Sequence, residues 1–380
     1  VTDAPLAAGF SSAVITPPLP VQLAGFIEDQ PATEVHDELE VRVVFLRGVA
    51  GSVCLVVCDL LGMSRGFASP IREGVAAALG IDRAAVLTSC VHTHAGPSTI
   101  AGSDALGWTT PAGYRELLVE RSVTAAVAAA SRAVPAQIRT GRWPLPEGLS
   151  VNRRGLPYEP SFALLDVVDR AGARIGTLAN IAIHPVALGP ECVAVSSDWV
   201  GPFRIALEQL AGGSAVLLSG ALGDVNPHHV HRQHNECRAD GFAEADELGN
   251  RVADGVYAVL DGAEAVEAAE PAVLRRRTVE VTIGSTLLGA GLPERRIAIE
   301  LIEWSIGPVR LVSVPGEAFH ALGRAIERRV EHDGARVLVA GLAPEWHGYL
   351  PSPFTDGYEE SMSYGHEAVD SIAHALLAPS

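Results

Sequence analysis

The stretch Thr88-Ser-Cys-Val-His92-Thr-His94-Ala-Gly96-Pro97 carries two imidazoles two residues apart. On extended backbone, residues i and i+2 project to the same side, so His92 and His94 can face one small volume. Two imidazoles at a strand end form a metal-site candidate, because neutral histidine nitrogen is a common zinc ligand. A lone pair of this kind is as readily packed or merely solvated, so further ligands must arrive from elsewhere. The candidates are His184, which precedes Pro185 after an apolar run, and Glu317 in Pro315-Gly316-Glu317. Taken singly, His184 reads as a core histidine and Glu317 as a helix-opening acid favoured by the helix dipole. Gly223-Asp224-Val-Asn226-Pro227 reads as an Asp/Asn turn, and Asn152-Arg153-Arg154-Gly155 as a solvated loop. His228, His229, His231 and His234 read either as a second metal cluster or as an exposed His-rich loop. No Gly-x-Ser-x-Gly elbow, phosphate-cradling glycine loop or nicotinamide fingerprint is present.

Three stretches share one pattern of elements that would position these residues. In the first, Leu39–Arg47 and Val53–Cys58 read as a hairpin whose second strand is a continuous apolar run ending at Asp59. A helix follows over Ser69–Leu79, with Pro70 near its start and Gly80 at its stop, and a buried strand then empties into His92 and His94. In the second, a strand over Ile175–Ile183 ends at His184. A helix over Phe203–Leu210 and a strand over Ser214–Ser219 lead to the loop of Asp224 and Asn226. In the third, Val309–Val314 turns at Glu317, and a helix runs through about Arg329. A strand over Arg336–Ala340 then leads to the loop of Trp346, His347 and Tyr349. The fold class expected is α/β: mixed β-sheets flanked by helices, built from recurring strand–loop–helix–strand units. Ligand crevices in such sheets lie beyond the strand carboxyl ends, which predicts that His92, His184 and Glu317 converge. Residues 1–30 read as irregular, since the prolines and glycine of Ile15–Phe26 forbid a helix. Ala112–Val134 reads as an Ala-rich helix over a sheet face, 277–306 as further strands, and Ser371–Leu377 as a closing helix.

Composition narrows the partners. With 28 basic against 45 acidic residues the formal charge is −17, which disfavours nucleic acid and anionic membranes, both of which need basic patches. No apolar run reaches the ~20 residues of a membrane helix, so no stable membrane association is expected. The 38 glycines and 25 prolines fit a compact, loop-rich enzyme better than a coiled coil. Five scattered cysteines, three of them in apolar runs, read as reduced buried thiols and a cytoplasmic location. The Ala/Gly/Arg-rich composition points to a bacterial, GC-rich genome.

Together the motifs resemble those of the neutral/alkaline ceramidase family, in its amino-terminal catalytic domain. The matching pieces are Val91-His92-Thr93-His94-Ala95-Gly96-Pro97, Ile183-His184-Pro185, Leu222-Gly-Asp-Val-Asn-Pro227, Val314-Pro-Gly-Glu317, Gly348-Tyr349-Leu-Pro351 and Gly357-Tyr358-Glu359, in family order. The resemblance implies a zinc amidohydrolase forming one catalytic domain over residues 1–380, without the carboxy-terminal β-domain of long ceramidases. It implies His92, His184, Glu317 and Tyr349 as ligands of one zinc ion per chain. His94 and Tyr358 would contact substrate or oxyanion, and Arg153 or Arg154 would reach into the cleft. Asp224, Asp37 and Asp198 would orient histidines or brace loops. Asn226 departs from the pattern: it stands where the family has a serine implicated in catalysis, and an amide neither attacks as a nucleophile nor yields a proton at neutral pH.

The function expected is therefore zinc-dependent cleavage of an amide bond, in a small or N-acyl substrate, by metal-activated water. Two other readings stand beside it. One is acyl transfer or cyclisation in specialised metabolism on the same centre, motivated by Asn226 and the His-rich loop. The other is a non-catalytic metal-binding relic.

Overall fold

The computed structural model describes residues 6–26, 31–101, 103, 107–228, 241–267, 269–290, 295–332, 334–353 and 357–379. Three units within it share one topology. Each has four strands paired antiparallel, antiparallel and parallel, with a helix crossing between the last two. The first comprises Ala7–Val14, Glu40–Arg47, Ser52–Cys58 and Val86–Cys90, with helix Arg65–Leu79. The second comprises Val134–Pro144, Ser161–Asp169, Arg174–Ile181 and Ser214–Ser219, with helix Val200–Ala211. The third comprises Pro271–Thr282, Arg296–Ile306, Val309–Ser313 and Arg336–Ala340, with helix His320–His332. A parallel pair needs a long crossover, and the helix supplies it. Ala7 and Ala8 pair with Pro135 and Val134, joining the first two units into a nine-stranded sheet whose ninth strand is Glu264–Ala265. The third unit keeps its own four-stranded sheet. The expected α/β class, with its recurring units, is what the chain adopts.

Burial explains the strand sequences. Ser52–Cys58 is buried at every position after Ser52 because both of its faces are covered. Cys54, Val56 and Cys58 enter one hydrophobic core, while Val53, Leu55 and Val57 enter another. The second core also takes Leu178, Leu218, Leu311 and Leu338, so all three units contribute to it. Helix Tyr114–Ser131 lays Leu118, Ala125, Ala126 and Ala129 on the sheet. It comes so close that a Cβ at Gly9 would lie 2.0 Å from the Ala129 carbonyl oxygen, which requires glycine there.

Several expectations are corrected. Ala7–Val14 is a strand at the seam of the large sheet, not irregular chain; its small residues show little apolar run, and pairing on both sides defines it. Strands Val134–Pro144 and Ser161–Asp169, and helix Gly241–Tyr257, complete the architecture without having stood out in the sequence. Helix Arg65–Leu79 begins four residues before the expected start, so Pro70 lies inside it, at the cost of one backbone bond. The closing helix likewise begins earlier, at His366.

The fourth strands of the units meet at their carboxyl ends. Ser89 Oγ donates to the Gly341 carbonyl at 2.9 Å, Gly341 N–H to the Ser219 carbonyl at 2.8 Å, and Ser219 Oγ to the Val91 carbonyl at 3.0 Å. This closed triangle draws the loops of all three units to one place. Among the described residues, no helix is long and apolar enough to cross a membrane. Cys54, Cys58, Cys90 and Cys192 are free thiols, and Cys237 lies outside the described residues.

Candidate metal centre

The first unit delivers His92. The loop after Cys90 is tied back by Val91 N–H to the Cys58 carbonyl and His92 N–H to the Leu60 carbonyl. His92 itself takes φ +79°, a strained left-handed conformation for a non-glycine residue. Its Nδ1–H donates to the Leu61 carbonyl. The second unit delivers His184, whose N–H donates to the Val225 carbonyl at 3.0 Å while Nδ1 contacts the same oxygen at 3.2 Å. The third delivers Glu317 on a short parallel ladder that pairs it with Tyr349.

Glu317 Oε2 lies 3.1 Å from His92 Nε2 and 3.2 Å from His184 Nε2. The ligand atoms of His92, His94 and His184 lie within 4.8 Å of one another, a cluster that could hold a metal ion. All four side chains are at least largely buried. A neutral imidazole has one N–H. With Nδ1 donating to a backbone carbonyl, each of His92 and His184 turns an Nε2 lone pair toward the same carboxylate oxygen. The buried His92 Nε2 is out of line for a hydrogen bond and has no such partner; neither ring nitrogen of His94 has one either. Lone pairs converging on an anionic oxygen repel unless a cation lies among them. The donor set, two or three imidazole nitrogens and a carboxylate, therefore fits a metal ion.

Electrostatics point the same way. Burial pushes the His184 imidazole down to about 4, despite its contact with the Glu317 carboxylate, and burial likewise holds His94 well below the usual range. Burial alone would raise Glu317, but its contacts with His92 and His184 hold it well below the usual carboxylate range. Neutral His94 and His184 beside an ionised Glu317 are the protonation states that metal binding requires.

The other expected residues are placed as follows. Tyr349 is buried beside Glu317, and burial and that carboxylate's charge hold its phenol well above the usual value. Its ring lies 6.0 Å from that of Tyr358, which is exposed. Arg153 places its guanidinium 5.6 Å from the Tyr349 ring centre. It donates to Asn226 Oδ1 at 3.0 Å, Glu359 Oε1 at 2.9 Å and the Gly223 carbonyl at 2.6 Å. Arg154 instead pairs with Glu359 at 2.7 Å and Glu360 at 3.2 Å and lies over Phe319. Asp224 accepts from Asn152 Nδ2 at 2.6 Å and from the His320 N–H at 2.7 Å, capping the third unit's helix. Asp37 holds Ser196 and Ser197. Asp198 accepts from the amides of Ala187, Leu188 and Trp199. Trp199 in turn donates its indole N–H to the His184 carbonyl at 3.2 Å. Of the second histidine group, His228 is described and His229, His231 and His234 lie outside the described residues.

Two residues to which the sequence assigned no role border the centre: Trp346, placed only as a member of the third unit's loop, and Gly25. Trp346 donates its indole N–H to Glu317 Oε1 at 2.9 Å. Gly25, at φ +118°, lies under His94: a Cβ there would sit 2.4 Å from the ring. Neither spacing nor residue type signals these contacts; Trp346 is two residues before an expected loop motif, and Gly25 lies in the segment read as irregular.

Comparison with solved structures gives the fold a counterpart. A crystal structure of neutral ceramidase from Pseudomonas aeruginosa matches with TM-score 0.82 and 18% identity, covering 99% of this chain and 75% of that one. A ceramidase complexed with C2 matches with TM-score 0.84 and 17% identity, covering 98% and 74%. No family model and no curated protein matches the sequence. The chain therefore has the fold of the neutral ceramidase structures, over about three quarters of their length, and the resemblance read from its motifs holds at the level of fold.

Proposed function

We propose that residues 1–380 form one catalytic unit, a zinc-dependent amidohydrolase that cleaves the amide bond of a small or N-acyl substrate with water. The observation that carries this reading is Glu317 Oε2 standing 3.1 and 3.2 Å from the Nε2 atoms of two carbonyl-anchored histidines. The ceramidase fold supports the reaction class. His92, His184 and Glu317 would hold the ion, with Tyr349 as a fourth group. Zinc bound by such a set polarises carbonyls and lowers the pKa of water to roughly 7.

The chain's own groups supply the rest. His94 is neutral with both ring nitrogens unengaged, so it can donate to a carbonyl oxygen or pass a proton to the leaving nitrogen. Although Tyr358 is partly exposed, desolvation of its hydroxyl and the Glu317 charge push it up to about 12, which keeps that hydroxyl a donor at neutral pH. Arg153 occupies Oδ1 of Asn226, leaving the amide Nδ2 to donate toward a substrate. Asn226, standing where the family has a serine, motivates the second reading, acyl transfer or cyclisation on the same centre. The burial of Cys54, Cys58 and Cys90 as free thiols supports a cytoplasmic location.

Elemental analysis of wild type beside His184→Ala tests the centre. About one zinc per chain, lost in the variant, is expected; a wild type that gains no zinc on addition overturns it. An amide screen in H2-18O then separates the two reactions, since hydrolysis places solvent oxygen in the product acid and cyclisation does not.

A further inference from the structure

Against Trp346 lies a cavity of about 370 Å³, within the roughly 300–1,000 Å³ of small-molecule sites. Ile100, Ile283, Leu288, Ile297 and the Trp346 indole make its walls apolar. One corner is polar. There His347, 6% exposed, sets Nδ1 3.2 Å from the Tyr364 hydroxyl. Its Nε2 is buried and lies 3.3 Å from Glu345 Oε2, yet out of line for a hydrogen bond. The charges at the rim cancel locally, because Arg65 Nε spans both oxygens of Glu345 at 3.2 and 3.3 Å. An ionic ligand would find no unmatched charge to answer its own, whereas a neutral one can cover the walls and complete the hydrogen bonding of the polar corner.

We propose that this cavity is a second ligand site, taking an uncharged small molecule with an apolar body and one hydrogen-bonding group. The occupant lies against the same indole that holds Glu317 Oε1. The site does not depend on metal, so its test is independent of the zinc reading.

Gly66 lines the cavity from the exposed face of its helix, and a Cβ added there meets nothing within 4 Å. Gly66→Phe sets an aromatic ring at the cavity rim with no clash at its Cβ, and Gly66→Ala adds only a methyl there. The probe is N-phenyl-1-naphthylamine, an uncharged fluorophore, titrated into protein without added metal. Saturable binding to wild type, retained by Gly66→Ala and by His92→Ala but weakened at least ten-fold by Gly66→Phe, is expected. Ala101→Trp, on the opposite exposed rim, should weaken binding in the same way. Absence of saturable binding to wild type overturns the proposal. So does binding that survives both bulky variants, or that His92→Ala removes.

Discussion

Trp346 donates its indole N–H to Glu317 Oε1 at 2.9 Å, so only Oε2 faces His92 and His184. Its neighbour in the chain, Glu345, is engaged by Arg65, and the Trp346 backbone N–H is held by the Met63 carbonyl at 2.7 Å. The indole is thus fixed by the first unit while it orients a carboxylate of the third.

Trp346→Phe keeps an aromatic ring, smaller than the indole, and removes that donor. Partners that orient metal ligands typically contribute 10–100-fold to affinity. Zinc affinity should fall by about that factor, read by competition with a chelator, with little change in the folded structure. Unchanged competition would remove Trp346 from the centre.

Gly25→Ala tests the seat of His94. The added methyl must displace the ring and adopt an unfavourable φ. Zinc content should match wild type while kcat/KM on an amide substrate drops by about 100-fold, the scale of a misplacement near 1 Å. Equal loss of metal and activity would instead make His94 a ligand.

Asp59 occupies in the first unit the place that His184 and Glu317 occupy in the others, but it serves a buried ion pair. Arg204 Nη1 and Nη2 reach its two oxygens at 2.6 and 2.7 Å. Arg204→Met leaves a buried carboxylate unpaired and should cost about 3–5 kcal/mol in urea denaturation. Adding Asp59→Asn should recover part of that loss; a double variant no more stable than the single one would contradict the pairing argument.

His320 links stability to pH. Burial, reinforced by the Arg324 charge, lowers its imidazole to about 4, against roughly 6.5 in an unfolded chain. Below pH ~6.5 the unfolded chain takes up a proton that the folded one refuses, so stability present above that pH is lost as pH falls toward 4. At pH 5 the loss, reduced by solvent screening of the partly exposed ring, is on the order of 1 kcal/mol. His320→Leu should show a smaller drop in urea midpoint between pH 7 and pH 5 than wild type; an identical drop would place the linkage elsewhere.

Much of this architecture is legible in the chain itself. The continuous apolar strands ending in polar residues marked the third and fourth strands of each unit, because a strand covered on both faces must be apolar throughout. Ser214–Ser219 and Arg336–Ala340 have the expected bounds. Ala7–Val14 was not legible, since small residues in a strand acquire their identity only from the strands and helix laid against them. His92, His94, His184 and Glu317 could be named as candidates because strand carboxyl ends are where such folds present ligands.

Sequence by itself determined which residue types were available and on which loops they stood. Tertiary structure alone decided that loops 92, 184 and 317 meet, through the triangle of Ser89, Ser219 and Gly341. It also decided that Trp346 holds one oxygen of Glu317 and that Gly25 seats His94. Those contacts join residues from 29 to 252 positions apart. Periodicity reports only a residue's near neighbours along the chain, so packing across units has no signature in it.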